Sequence, residues 1–227
     1  MKTIRLIALL IFLLPTACAR LPEIYKPAVI SAAAPAACER IFPQGHWQFV
    51  HRIDALPPDG SRHTFMGVIQ LSSKAGTIHC VMMTVEGLVI LEADYDGAVH
   101  ILRAVPPMDR PGLAEGMIRD LQLIFFAPHQ PVRQAGVLKD GERIYRYALA
   151  DGGTEDLLIR ADGRWTINRY NRRRQLTRTV RSDPKAPLSS LGFPSRLVLQ
   201  AHGLLGYQMT LTLLDAQPLG DQRTSKG

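Results

Sequence analysis

The sequence predicts a mainly β protein with one substantial helix (α+β): an antiparallel sheet of about ten or eleven strands, curled into half a barrel with the helix as a lid. Three observations predict it. Turn residues recur at roughly ten-residue spacing, apolar and polar residues alternate between them, and only 111–126 carries helical periodicity. A helix of about sixteen residues is roughly 24 Å long and 10–12 Å wide, whereas that many strands at about 4.8 Å spacing would make a flat sheet near 50 Å across. One helix cannot cover so wide an apolar face. The sheet must therefore curl around the helix, split into two facing sheets, or leave a concave apolar surface for a ligand, and of these curling around an incompletely filled hollow is the arrangement that leaves a large apolar cavity under the helix.

The chain opens with a short basic region (Lys2, Arg5), an apolar run from Leu6 to Leu14, and Pro15-Thr16-Ala17-Cys18. This is the order of a secretory signal, 1–17. Nine apolar residues fall well short of the roughly 20 that span a membrane, so attachment to a membrane would have to be covalent. The cysteine after a small residue resembles a bacterial lipobox, in which the thiol takes a diacylglyceryl group and the new N-terminus carries a further acyl chain such as palmitate. Pro15 stands where the lipobox usually has Leu. Lipidation of Cys18 is the expectation, and Ala19 after it resembles lipoproteins forwarded to the outer membrane. The alternative is cleavage after Ala19, which would release a soluble periplasmic protein.

Residues 18–44 hold the lipidated cysteine and an Ala/Pro-rich stretch (Pro22, Pro27, Ala32 to Ala37, Pro43), expected to be a tether spanning on the order of 30 Å. The β domain is expected over 45–216 and a disordered tail over 217–227. Cys38 and Cys80 are the cysteines that remain. An oxidising compartment permits a disulfide between them, and two reduced thiols with Cys80 as a small core residue is the equal alternative.

Turn signals at Pro57-Pro58-Asp59-Gly60, Ala75-Gly76, Glu86-Gly87, Asp96-Gly97, Asp140-Gly141, Asp151-Gly152-Gly153, Asp162-Gly163 and Gly203 to Gly206 separate the strands. Strands are expected near Trp47–Ile53, Thr64–Ser72, Thr77–Val85, Leu88–Asp94, Val99–Ala104, Glu142–Leu149, Asp156–Ala161, Arg164–Arg169, Gln175–Val180, Arg196–His202 and Tyr207–Leu214. The last alternates most cleanly: Tyr207, Met209, Leu211 and Leu213 on one face, Gln208, Thr210 and Thr212 on the other. Between Pro111 and Phe126, Leu113, Met117, Leu121, Ile124 and Phe125 recur at helical spacing, with Glu115, Arg119, Asp120 and Gln122 mostly opposite. Pro111 suits the first turn and Pro128 ends the element.

Loss of Lys2 and Arg5 with the leader would take the net charge from +7 to +5. The excess is concentrated: Arg160, Arg164, Arg169, Arg172, Arg173, Arg174, Arg178 and Arg181 face one acid, Asp162. Such a stripe is either a solvated strand face or a contact for anionic headgroups, with Arg172, Arg173 and Arg174 the candidates. An exported chain excludes nucleic acid as a partner.

Several segments together carry a family resemblance. Phe65-Met66-Gly67-Val68-Ile69-Gln70-Leu71, Gly87-Leu88-Val89-Ile90-Leu91-Glu92-Ala93-Asp94-Tyr95-Asp96-Gly97, Ile118-Arg119-Asp120-Leu121-Gln122-Leu123-Ile124-Phe125 and Gly206-Tyr207-Gln208-Met209-Thr210-Leu211 resemble, in order, elements of the LolA/LolB-like group. These are half-open β-barrels with a helical lid, and within them the chain is similar to a family of outer-membrane lipoproteins of unknown function. The helix ends in Phe126-Ala127-Pro128 where that family commonly has Trp-Pro. The resemblance implies a non-catalytic role toward lipid or acylated cargo, in family members often tied to export of lipid-like products.

The expected function is therefore that of an outer-membrane-anchored, periplasm-facing monomer that binds lipid or acylated cargo in an apolar half-barrel cavity. Trp47, Phe49, Phe65, Leu121, Phe125, Met209 and Leu211 are the expected lining. About twelve buried CH₂ groups would contribute on the order of 10 kcal/mol before ordering costs. The alternative is a structural accessory of an envelope assembly, docking through its sheet edge and arginine stripe. A periplasmic hydrolase would need an acid pair in a cleft, and no nucleophile elbow, zinc spacing, phosphate loop or dinucleotide fingerprint supports it. No cofactor or metal is expected: His46 and His51 are separated by an odd number of residues and fall on opposite faces of a strand. Asp120 is expected to cap or to pair with a strand arginine.

Overall fold

The computed structural model describes residues 21–28, 38, 41–106, 108–183, 189 and 191–220. The segment 1–17 expected to be a signal, Cys18 and residues 221–227 lie outside them. Among the described residues thirteen strands form one sheet, every neighbouring pair antiparallel. They are β1 (Lys26–Ala28), β2 (His46–Leu56), β3 (His63–Ser72), β4 (Thr77–Thr84), β5 (Val89–Tyr95), β6 (Val99–Ala104), β7 (Val132–Val137), β8 (Arg143–Ala148), β9 (Thr154–Ile159), β10 (Trp165–Tyr170), β11 (Leu176–Ser182), β12 (Arg196–Ala201) and β13 (Gln208–Pro218). A helix, α1 (Leu113–Phe125), lies between β6 and β7 in sequence. The strand order is β1-β7-β8-β9-β10-β11-β12-β13-β2-β3-β4-β5-β6, so β1 and β6 are open edges and the barrel does not close.

The count of ten or eleven is corrected to thirteen. The two strands that turn-counting missed pair with each other at one edge: Lys26, Pro27 and Ala28 lie opposite Val137, Gly136 and Ala135. β7 (Val-Arg-Gln-Ala-Gly-Val) has little alternation, and β1 is three residues inside the stretch expected to be a tether. Their pairing joins residues 107 to 111 positions apart, which no local pattern reveals. A side chain at Gly136 would run into Ile24 and the Lys26 carbonyl, so glycine is what lets β1 settle on the edge. The sheet therefore takes up part of the 18–44 segment, and Cys38 and Phe42 are buried in the core.

The sheet curls because α1 reaches both halves of it. Ala114 shares a buried cluster with Ile90 and Leu91 of β5, and Asp120, six residues on, binds Arg178 of β11 at 2.8 Å. Six residues of helix rise about 9 Å, whereas β5 and β11 lie six strand steps apart, about 29 Å in a flat sheet. Only a curled sheet brings both to one helix. Alternation puts Phe49, His51 and Ile53 of β2, Ile69 and Leu71 of β3, Leu197 and Leu199 of β12, and Leu211 of β13 on the inner face, all buried. α1 starts two residues later than Pro111 suggested, because Gly112 holds a left-handed conformation (φ 77°). No helix among the described residues is long and apolar enough to cross a membrane.

Candidate functional site

The inner face is the candidate site, and aromatic side chains dominate its middle. Phe125, at the end of α1, stacks on Phe49 with ring centroids 5.3 Å apart. Phe193, from the β11–β12 connection, meets Phe49 edge-on at 5.1 Å and Trp47 edge-on at 4.9 Å. Beneath them a hollow of only about 20 Å³ remains, lined by Phe49, His51, Phe125, Trp165 and Phe193 among others. That is room for about one water molecule. Among the described residues, the large apolar cavity expected under the helix is not found at this place. Curling brings facing strands within side-chain reach, and Phe193, Ile41 and Pro43 add chain that strand counting ignored.

His51 is the exception in this hydrocarbon. It is 3% exposed, and its Nδ1 finds no hydrogen-bond partner among the described residues. Burial drives its pKa down to about 4, so the ring is neutral at ordinary pH. Strand alternation could have found it: His51 lies two residues from Phe49 and two from Ile53, on the core face.

A polar clasp holds the helix to the sheet. Arg178 Nε donates to Asp120 Oδ1 at 2.8 Å, and the Tyr207 hydroxyl donates to Asp120 Oδ2. The Arg178 guanidinium also lies over the Tyr207 ring, 5.4 Å from its centroid. Burial and the neighbouring Asp120 carboxylate push the Tyr207 phenol well above its usual range, so it stays a donor. Asp120 was placed on the helix's polar side, yet it is buried, because Arg178 reaches it from β11. The pairing with a strand arginine expected for it is present.

A second polar group sits past the helix C-terminus, in a recess of about 300 Å³ lined by Gln122, Phe126, Pro128, Leu149, Glu155 and Arg169. Glu155 is buried, lies opposite Arg169 in the β9–β10 register, and has its pKa pushed up to about 7 by burial, with Asp156 and Asp151 adding and Arg169 opposing.

The expected lining residues are only partly gathered. Phe49 and Phe125 line the hollow; Leu211 is buried in the same core, and Trp47, Phe65, Leu121 and Met209 are half-buried at its margin. The arginine stripe does not exist as a surface. Arg169 and Arg178 face inward, and Arg160, Arg164, Arg169 and Arg178 pair with Glu142, Asp162, Asp151 and Asp120 respectively. Arg172, Arg173 and Arg174 stand exposed in the β10–β11 turn. Cys38 and Cys80 are both buried and not joined to each other; Cys38 bonds the Tyr147 hydroxyl, and burial pushes the Cys80 thiol up to about 11. Among the described residues no group of three or more His, Cys, Asp or Glu is placed to hold a metal ion.

No protein-family model and no curated protein matches the sequence. The architecture does have counterparts among solved structures. A LolA superfamily protein from Nitrosomonas europaea superposes with a TM-score of 0.56 at 15% identity, over 85% of this chain and 94% of that one. A putative outer membrane lipoprotein-sorting protein domain from Vibrio parahaemolyticus gives 0.51 at 9% identity, over 85% and 93%. At such identities the likeness is one of fold: this chain has the LolA-like fold, an open curled sheet with a helix across its inner face.

Proposed function

We propose that this LolA-like chain is a periplasm-facing lipoprotein, anchored in the outer membrane through a diacylglyceryl group on Cys18, that takes an acyl chain of a lipid or acylated cargo onto the inner face of its sheet. The role is binding without catalysis. Ligand pockets run to about 300–1,000 Å³, so a hollow of about 20 Å³ holds no acyl chain. Cargo must therefore displace α1, carrying Phe125 off Phe49. One observation supports this above the rest: the helix packs on the sheet through hydrocarbon, and its ion pair to the sheet among the described residues is Asp120–Arg178. Opening breaks that clasp and exposes Phe49, Trp165 and Leu211, an aromatic and aliphatic floor that an acyl chain replaces contact for contact. The solved counterparts, one named for lipoprotein sorting, add a precedent of fold.

The test is quenching of tryptophan fluorescence by a phospholipid brominated along its acyl chains. Trp165 is buried against the hollow, so uptake should quench it, and Asp120→Asn should increase quenching several-fold at equal lipid. No quenching in either chain, together with no lipid in organic extracts of the purified protein, sinks the reading. Metabolic labelling with a fatty acid, lost in Cys18→Ala, tests the anchor separately.

A further inference from the structure

In an antiparallel sheet alternate turns share a rim. The registers place the turns β2–β3 (57–62), β4–β5 (85–88), β8–β9 (149–153), β10–β11 (171–175) and β12–β13 (202–207) on one rim. The turns 73–76, 96–98, 138–142 and 160–164 lie on the other. The two rims differ in chemistry. Leu204 and Leu205, at the tip of the β12–β13 turn, are 101% and 83% exposed, and Val85 and Leu88 project from the β4–β5 turn. Those four turns of the opposite rim carry no exposed large apolar residue among the described ones; the β11–β12 connection on that rim exposes a single one, Leu191, at 48%.

The leucines are presented by a built turn. Gly203 has φ 113°, a Cβ on Gly206 would lie 2.8 Å from the Ala201 carbonyl oxygen, and the Gly206 and Ala201 amides bond to Gly203 and Tyr207. Such geometry aims Leu204 and Leu205 outward, away from the core. Beside them the β10–β11 turn exposes Arg172, Arg173 and Arg174, and Arg62 is exposed on the β2–β3 turn. Three acids lie in these turns: the Asp151 carboxylate pairs with Arg169 while Arg172 Nε donates to the Asp151 backbone carbonyl, Asp59 accepts from Ser61, and Glu86 is exposed. Projecting leucines next to arginines match a surface that is anionic outside and apolar a few ångströms below, which is a phospholipid bilayer.

Where the chain enters gives a second, independent argument. The Pro22 carbonyl accepts from Arg146 Nη2 at 2.9 Å, and Leu21, Pro22 and Ile24 share a recess of about 720 Å³ with Ala148, Thr154 and Arg174, residues of the same rim. Cys18 is four residues before Pro22, within about 14 Å of it even fully extended. A lipid carried on Cys18 would attach within that reach of the recess, whose lining extends from Ala135 and Arg146 to Ala148, Thr154 and Arg174 of this rim.

We propose that this rim is a membrane-docking surface: Leu204 and Leu205 enter the interfacial layer of an anionic bilayer while Arg172, Arg173 and Arg174 bind its phosphates. The inference goes beyond cargo binding and stands whether or not the inner face accepts an acyl chain. To test it, Leu204→Cys and, on the opposite rim, Asp162→Cys are each made in the full-length gene product, purified as the cell processes it, and labelled with the environment-sensitive fluorophore nitrobenzoxadiazole. On phosphatidylglycerol/phosphatidylcholine vesicles the probe at 204 should blue-shift, be quenched by lipids spin-labelled near the headgroup, and lose its accessibility to aqueous iodide at least several-fold. The probe at 162 should stay in water. Replacing Arg172, Arg173 and Arg174 together by Gln should bring the 204 signal down to that on phosphatidylcholine alone. A 204 probe that remains as open to iodide as the 162 probe, or one shielded only when a protein is cross-linked to it, overturns the proposal. Neither result bears on whether a brominated acyl chain quenches Trp165.

Discussion

Two arginine–aspartate pairs stand on opposite faces of the same sheet. On the outer face, Arg146 of β8 grips Asp156 of β9 through two hydrogen bonds of 2.7 and 2.8 Å, beneath the segment that brings Pro22 to the same guanidinium. On the inner face, Arg178 makes one hydrogen bond to Asp120 of the helix and shares that carboxylate with Tyr207. The Arg146 side chain is 13% exposed and the Arg178 side chain 28%. The outer pair joins neighbouring strands and has no route apart short of unfolding. The inner pair joins an element that rests on the sheet without belonging to it, so it can part while the sheet persists. The same two residue types thus make a permanent tie in one place and a release in the other, according to what each holds.

The largest expected effect tests the outer tie. Arg146→Met leaves the Asp156 carboxylate buried without its partner and should cost about 3–5 kcal/mol of stability in urea denaturation. Adding Asp156→Leu to make both positions apolar should restore most of it. A single variant within about 1 kcal/mol of the parent would show that the tie is not structural.

The next effect concerns the titratable groups of the inner face, which pull in opposite directions. His51 has its folded pKa lowered to about 4 from 6.5, so its contribution is present above pH 6.5 and is lost as pH falls toward 4. Glu155 has its folded pKa raised to about 7 from 4.5, so its contribution is full below pH 4.5 and is lost as pH rises to 7. Each spans on the order of 3 kcal/mol. In His51→Leu the Glu155 slope stands uncovered, and the variant should gain stability on acidification from pH 7 to 5 by an amount larger than the parent does. A variant that follows the parent's pH curve would break the assignment.

The smallest global effect is expected at the clasp. Asp120→Asn should cost roughly 1–2 kcal/mol overall, yet amide exchange within 113–125 should accelerate far more than in β2 or β13. Uniform acceleration across helix and sheet would make the two ties equivalent and remove the contrast.

Much of this was legible along the chain. The turn residues separate eleven of the strands, and the 111–126 periodicity finds α1 to within two residues at its start, displaced only by the left-handed Gly112. Phe49 and Phe125 meet on the inner face because strand and helix periods each point them inward. His51 obeyed the same period and was passed over because histidine is polar. Arg178 and Asp120 were each visible, but no spacing says that an inward arginine of β11 will meet a helix residue 58 positions earlier. The arginine stripe dissolved for a related reason: consecutive strands run in opposite directions and alternate faces, so arginines close in sequence scatter to both faces and both rims.

By itself the sequence determined what depends on neighbours along the chain: eleven of the strands, the helix, the facing of most side chains, and an N-terminal stretch with the composition of an export signal. These follow from backbone geometry with periods of 2 and 3.6 residues. Tertiary structure alone decided whether the curled interior is empty or full, which arginines pair, that β1 docks on β7, and which turns share a rim. Those are matters of volume and of distance between residues far apart in the chain, set only when every strand has taken its place.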